Sequence, residues 1–136
     1  MKFNCSKPSE LLKKIKDLDI KMVDMRFTDI PGSTHHITVP IKFLNEDIFN
    51  DGVGFDGSSV RGFQTIENSD MSMFPDVTTA YLDPFFTEKT LVFYCDIKDP
   101  ITQESYSRDP RFIAKKAEKY LKSSGMGDTA YFGPEA

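Results

Sequence analysis

The sequence predicts an α+β fold, and three observations carry that prediction: an apolar stripe at helical spacing near the N-terminus, a two-residue alternation either side of Pro31-Gly32, and a continuous apolar run, Leu91-Val92-Phe93-Tyr94-Cys95, that precedes a second capped helical stripe. Ser6 reads as an N-cap, Pro8 falls in the first turn, and Leu11, Leu12, Ile15 and Leu18 recur at helical spacing, giving a first helix that runs to about Leu18. From Met22 the period becomes two, with Val23, Met25 and Phe27 on one face and Asp24, Arg26 and Thr28 on the other. Pro31-Gly32 carries the residues of a type II turn, after which His35, Ile37, Val39 and Ile41 alternate against His36 and Thr38, so the two segments form a hairpin. Pro40 cannot donate to a ladder and therefore ends it or lies at a sheet edge.

Residues 51–62 contain four glycines and little periodicity, which predicts a long loop without regular structure. Residues 66–80 mix acidic and small residues with scattered Met and Phe and declare no element. The apolar run at residues 91–95 suits a buried strand closed by Asp96. Asp109-Pro110 is a cap followed by an N1 proline, and Ile113, Ala114, Ala117, Tyr120 and Leu121 give an apolar stripe that Gly125 stops. Lys119 and Lys122 complement the negative end of that helix, and Glu118 stands four residues before Lys122. Thr129-Ala130-Tyr131-Phe132 opens a further strand leading into Gly133-Pro134-Glu135-Ala136, an ending that reads as the truncation of a longer protein.

Composition narrows the function classes. Hydrophobic residues at 39% and charged residues at 28%, with 12 Phe and 5 Tyr, supply a core for a globular protein of 136 residues. The net charge of -4 and the absence of a dense basic run argue against nucleic acid as a partner. Lys13, Lys14 and Lys16, and again Lys115, Lys116, Lys119 and Lys122, read as the wet faces of the two helices. Cys5 and Cys95 belong to no metal-ligand pattern and read as small hydrophobes, Cys95 especially. Neither a signal peptide nor a run of membrane-span length is visible, so a reducing cytoplasm and no membrane partner are expected.

The densest chemistry lies in Gly54-Phe55-Asp56-Gly57-Ser58-Ser59, a carboxylate and two hydroxyls between glycines. Glycine reaches φ > 0 at little cost and permits close approach, so such a stretch can aim a carboxylate. On these residues alone a plain turn is the favoured reading, because Asp and Ser beside Gly hydrogen-bond their own backbone. His35 and His36 are adjacent, point to opposite faces of a strand, and read as ordinary strand positions rather than metal ligands. Asp70, Asp76 and Asp83 read as loop chemistry. Arg61 could pair with Asp56, face an anionic neighbour, or be solvated.

Six segments in order move the reading of the glycine-rich stretch: Gly54-Phe55-Asp56-Gly57-Ser58-Ser59-Val60-Arg61-Gly62-Phe63, Ile66-Glu67-Asn68-Ser69-Asp70-Met71, Pro75-Asp76, Asp83-Pro84-Phe85, Arg108-Asp109-Pro110-Arg111 and Tyr131-Phe132-Gly133-Pro134-Glu135-Ala136. With these the chain resembles, over nearly its full length, the N-terminal part of glutamine synthetase of the type I, bacterial and archaeal, form. The resemblance implies a β-grasp domain over residues 1–104 and the truncated start of a catalytic domain over residues 105–136. It also implies a dodecamer of two stacked hexameric rings, with the active site between neighbouring subunits. The chemistry implied is phosphorylation of the glutamate γ-carboxylate by ATP, followed by displacement of phosphate by ammonia. By motif match Asp56 binds ammonium and helps deprotonate it, with Ser59 nearby. Glu135 matches the first glutamate of a Glu-x-Glu strand that ligands Mg²⁺ or Mn²⁺. The other ligands of the metal, nucleotide and glutamate sites are not in this sequence, so the segment is expected to be inactive alone. A free-standing β-grasp interaction module and a related γ-glutamyl-amine ligase remain as alternatives, the intact Asp56-Gly57-Ser58-Ser59 arguing against the latter.

Overall fold

The computed structural model describes residues 1–133. Helix α1 (Pro8–Ile15) buries Leu11 and Ile15 and leaves its lysines to solvent. Its N-cap is Lys7 rather than Ser6; the Ser6 N–H instead donates to the Glu10 carboxylate at 3.3 Å, and the helix ends before Leu18. Strands β1 (Met22–Thr28) and β2 (Thr34–Pro40) form the expected antiparallel hairpin, Met25 opposite Ile37. Its turn differs from expectation by one residue. The Gly32 N–H donates to the Asp29 carbonyl and the Asp29 N–H to the Ser33 carbonyl, a three-residue loop in which Gly32 takes φ 95°.

A short helix α2 (Glu46–Asp51), capped by the Asn45 side chain, was not legible in the sequence. The expected irregular loop is overturned at its start, where residues 53–56 form β3 (Val53–Asp56). Beyond it lie β4 (Asp70–Pro75), the two-residue β5 (Tyr81–Leu82) and β6 (Thr90–Lys98), which continues past Asp96 because its ladder with β4 extends to Lys98. Helix α3 (Pro110–Ser124) starts at an Asp109 cap and ends at Gly125 in the left-handed region, as expected.

The strands join in the order β2-β1-β6-β4-β3, with β5 also on β6. β1 and β6 run parallel at the centre, Met25 beside Phe93, and the other pairings are antiparallel. This mixed sheet with helices packed on one face is the β-grasp arrangement expected from the resemblance. Pleating sends Leu91, Phe93, Cys95 and Ile97 to one face, where they share a core with Val23, Met25, Leu11 and Ile15, and Phe49 of α2 meets Phe93 edge-on at 5.5 Å. Both thiols are buried and free, and burial pushes the Cys95 thiol far up, so it acts as a hydrophobe.

The opposite face carries a polar net. Asp24 is fully buried; its Oδ1 accepts from Thr38 Oγ1 and meets His36 Nδ1, each at 2.7 Å, and its Oδ2 accepts from Arg26 Nε at 2.6 Å. Arg26 extends the net to Tyr81 and Asp83, and further along the face Arg111 of α3 bridges Asp76 and Asp96. Asp76 and Asp83 are thus structural, and the two histidines occupy strand positions on opposite faces, His35 pairing with Asp29 at 2.8 Å. The apolar stripe of α3 forms as expected but is not buried among the described residues: Tyr120 is 68% exposed, beside a groove of about 820 Å³ that Ala117, Leu121, Met126 and Phe132 help line. Residues 128–133 form no strand, correcting the expectation at Thr129-Ala130-Tyr131-Phe132; none of the described strands pairs with them. Among the described residues no helix is long and apolar enough to cross a membrane.

Burial alone would raise the Asp24 carboxyl, but the donors from Thr38, His36 and Arg26 together hold it below the usual carboxylate range. A depressed folded value stabilises the fold above the unfolded value and loses that contribution as pH falls through the folded one. Asp24→Asn is therefore expected to cost about 3 kcal/mol in denaturant unfolding at pH 7, since it removes the buried negative charge and puts an NH2 donor where one of the oxygens now accepts from Arg26, Thr38 or His36. The gap to the parent protein should narrow below the ordinary carboxylate value; a gap independent of pH would contradict this role.

Candidate functional site

The site is built at the end of an edge strand. β3 pairs antiparallel with β4 so that Asp56 opposes Asp70, and the Gly57 N–H then donates to the Ser69 carbonyl at 2.7 Å. Gly57 is buried, and a Cβ there would stand 2.6 Å from Met71 Sδ and 2.8 Å from Met71 Cγ, so only glycine lets the chain turn this close to β4. Asp56 then caps one tight helical turn, Gly57–Ser59. Its Oδ1 accepts from Ser58 N at 2.8 Å and Ser58 Oγ at 2.6 Å, and its Oδ2 accepts from Ser59 Oγ at 3.3 Å.

The turn is closed from behind. The Gly57 carbonyl accepts from both Val60 N and Gln64 N, and Val60 and Phe63 insert into the core while Asp56, Ser59 and Arg61 stay on the surface. Phe63 packs on Phe27 and Tyr106, with ring centroids at 6.0 and 5.1 Å. Its carbonyl accepts from Tyr106 Oη at 2.5 Å and from Arg108 Nη1 at 3.0 Å, and Arg108 Nη1 also reaches the Gly62 carbonyl at 3.0 Å.

Hydrogen bonds from the Ser58 hydroxyl first, then from the Ser58 backbone N–H, hold the Asp56 carboxyl below the usual carboxylate range. The group is an exposed anion at neutral pH, and with exposed Asp70 at its side it forms a negative surface suited to a small cation. Taking up a proton would require Asp56 to give up some of the bonds that keep it ionised.

Asp56 and Ser59, the two candidate site residues, lie within hydrogen-bond reach of each other. Arg61 makes no ion pair with Asp56 among the described residues. Glu135, the expected metal ligand, lies outside the described residues. Among the described residues no three His, Cys, Asp or Glu side chains gather in a metal-binding group. Sequence reasoning gave Met71, Tyr106 and Arg108 no part in the site, because their contacts with the turn join residues distant in the chain; Met71 and the Arg108-Asp109-Pro110-Arg111 segment entered only as part of the resemblance and, for the latter, as a helix start.

A family model described as "Glutamine synthetase, beta-Grasp domain" matches residues 19–100. Glutamine synthetase of Rhizobium meliloti is 55% identical over 128 residues, covering 94% of this chain and 27% of that protein. A protein of Cupriavidus pinatubonensis named 3-hydroxylaminophenol mutase is 51% identical over 127 residues, covering 93% of this chain and 27% of its own length. Among solved structures, Plasmodium falciparum glutamine synthetase superposes with a TM-score of 0.82 at 30% identity, over 92% of this chain and 24% of that one. The chain thus spans about a quarter of the length of the relatives it matches.

Gly57→Ala is expected to destabilise the domain by about 1–3 kcal/mol through overpacking against Met71. Combined with Met71→Ala it should cost less than the sum of the two single changes, by at least about 0.5 kcal/mol in a double-mutant cycle of denaturant unfolding. Strict additivity would mean that the two do not touch.

Proposed function

The chain belongs to the type I glutamine synthetase family, whose β-grasp domain it carries, and from this we propose that the protein ligates ammonia to glutamate using ATP, with Asp56 holding the ammonium. The observation that carries the reading is the Asp56 carboxylate itself, exposed and kept ionised by Ser58 and Ser59 at the end of an edge strand. An anion so placed attracts ammonium and orients it, and Ser59 fixes the second carboxylate oxygen.

In the reaction, a γ-carboxylate oxygen of glutamate takes the terminal phosphoryl group of ATP and ADP leaves. Ammonium gives up a proton, its nitrogen attacks the acyl carbon, phosphate departs with the bonding pair, and the nitrogen releases a second proton to solvent or to the departing phosphate to leave the neutral amide. Asp56 contributes at the middle step, favouring the cation and accepting its proton as the amine becomes a nucleophile. The nucleotide, the glutamate and the divalent metal, Mg²⁺ or Mn²⁺ with Glu135 as one ligand, belong to the remainder of the protein. By the family resemblance, the groups that complete the site come from a neighbouring subunit of a dodecamer and the segment alone does not turn over; the exposure of Asp56, with Ser58 and Ser59 as its side-chain partners among the described residues, supports that reading.

Identity of about half over this segment extends to a relative named as a mutase, so the reaction has to be tested at the residue. In the full-length protein, Asp56→Asn is expected to lower glutamine formation by at least about 100-fold, while glutamate-dependent ADP release persists. Unchanged saturation by ammonium in that variant would remove Asp56 from the ammonium site.

A further inference from the structure

We infer that Tyr106 and Arg108 are positioning residues for the Asp56 turn, gripping it at Gly62 and Phe63; the inference rests on the ammonium reading of Asp56 and adds to it two residues that never touch the cation. The turn is tied at both ends. At the front, Gly57 is pinned between the Ser69 carbonyl and Met71. At the back, the Phe63 carbonyl takes two donors, Tyr106 Oη at 2.5 Å and Arg108 Nη1 at 3.0 Å, and the same Arg108 nitrogen reaches Gly62 O. The two ends are bonded to each other, because Gln64, next to Phe63, donates its N–H to the Gly57 carbonyl. A shift of Phe63 is therefore passed to the residue after Asp56.

The grip itself stands on the central sheet. The Tyr106 N–H donates to the Ile97 carbonyl at 2.9 Å, and the Tyr106 carbonyl accepts from Asp109 N at 3.1 Å. Buried Asp109 in turn accepts from Ile97 N at 3.0 Å and from Arg111 N at 2.9 Å. One carboxylate thus joins the end of β6 to the first turn of α3, and the residues between them hold the Asp56 turn. The donors aim at backbone carbonyls and not at side chains, so they constrain where the turn runs irrespective of what it binds. Gly62, whose carbonyl is part of the grip, takes φ 83°, a turn that glycine makes at little cost.

The test uses the full-length protein with Tyr106→Phe, which removes one hydroxyl and keeps the ring on Phe63, and with Arg108→Ala and Arg108→Lys. Arg108 is exposed, so its truncation leaves the folded core untouched. The KM for ammonium is expected to rise about fivefold in Tyr106→Phe and about tenfold in Arg108→Ala. The KM values for glutamate and ATP should stay within about twofold, and Arg108→Lys should recover most of the loss by presenting a donor to the same carbonyls. Exchange of the Gly57 and Gln64 amides should accelerate by similar factors while β1 and β6 amides keep their rates. A fall in melting temperature with unchanged ammonium KM and unchanged exchange at Gly57 and Gln64 would overturn the inference, as would accelerated exchange with no change in ammonium KM. If Asp56→Asn leaves ammonium saturation intact, the ammonium reading fails instead, and the exchange rates decide alone whether Tyr106 and Arg108 position the turn.

Discussion

Parallel pairing of β1 with β6 dictates the path of the chain through the sheet. Parallel neighbours cannot be joined by a tight turn, so the chain between them must cross over, and here the crossover includes β2, α2, β3, β4 and β5. Because β2 takes the free side of β1, the returning strands have only the far side of β6 available. β4 fills it, β3 becomes the edge, and the end of β3 is where Asp56 emerges. The carboxylate is at the surface because the sheet has nothing further to place beside that strand.

Two buried aspartates hold this frame. Asp24 gathers His36, Thr38 and Arg26 on the polar face, and through Arg26 ties the hairpin to Tyr81 and Asp83. Asp109 gathers backbone N–H groups from β6 and α3, and its burial pushes the carboxyl up even though those donors oppose the shift. Removing one partner from such a buried net costs more than the net contributes against an apolar replacement, so these groups act chiefly by fixing which elements meet. The Asp56 turn inherits that fixity through Tyr106 and Arg108.

The hairpin, α1 and α3 were legible because each keeps a single local period, 2 or 3.6, over several residues, and β6 because its continuous apolar run suits a strand covered on both faces. β4 was not, since Asp70-Met71-Ser72-Met73-Phe74-Pro75 alternates only as far as Met73, too short a stretch to declare a strand, and is buried beyond Asp70. β3 was hidden by its glycine, and α2 is too short to show a stripe. At the site, Asp56 and Ser59 were found as a local motif carried by resemblance. Gly57 against Met71, and Phe63 under Tyr106 and Arg108, depend on the fold having brought distant residues together, which no local spacing encodes. The same limit explains the wrong strand at residues 129–132, where the aromatic composition suits a strand but none of the described strands pairs with it.

Asp56 matters here as an anion held in place before anything binds. Its four neighbours in sequence, Gly57, Ser58, Ser59 and Val60, divide the work: Gly57 brings the turn against β4, the two serines donate to the carboxylate, and Val60 anchors the turn in the core. The most direct measurement is an NMR titration of the Asp56 side-chain carboxyl in this chain. A transition below 3.8, the ordinary aspartate value, is expected if the serines hold it ionised. A transition at or above that value would contradict the hold of Ser58 and Ser59 on the carboxylate, and with it the preorganised site on which the ammonium reading stands.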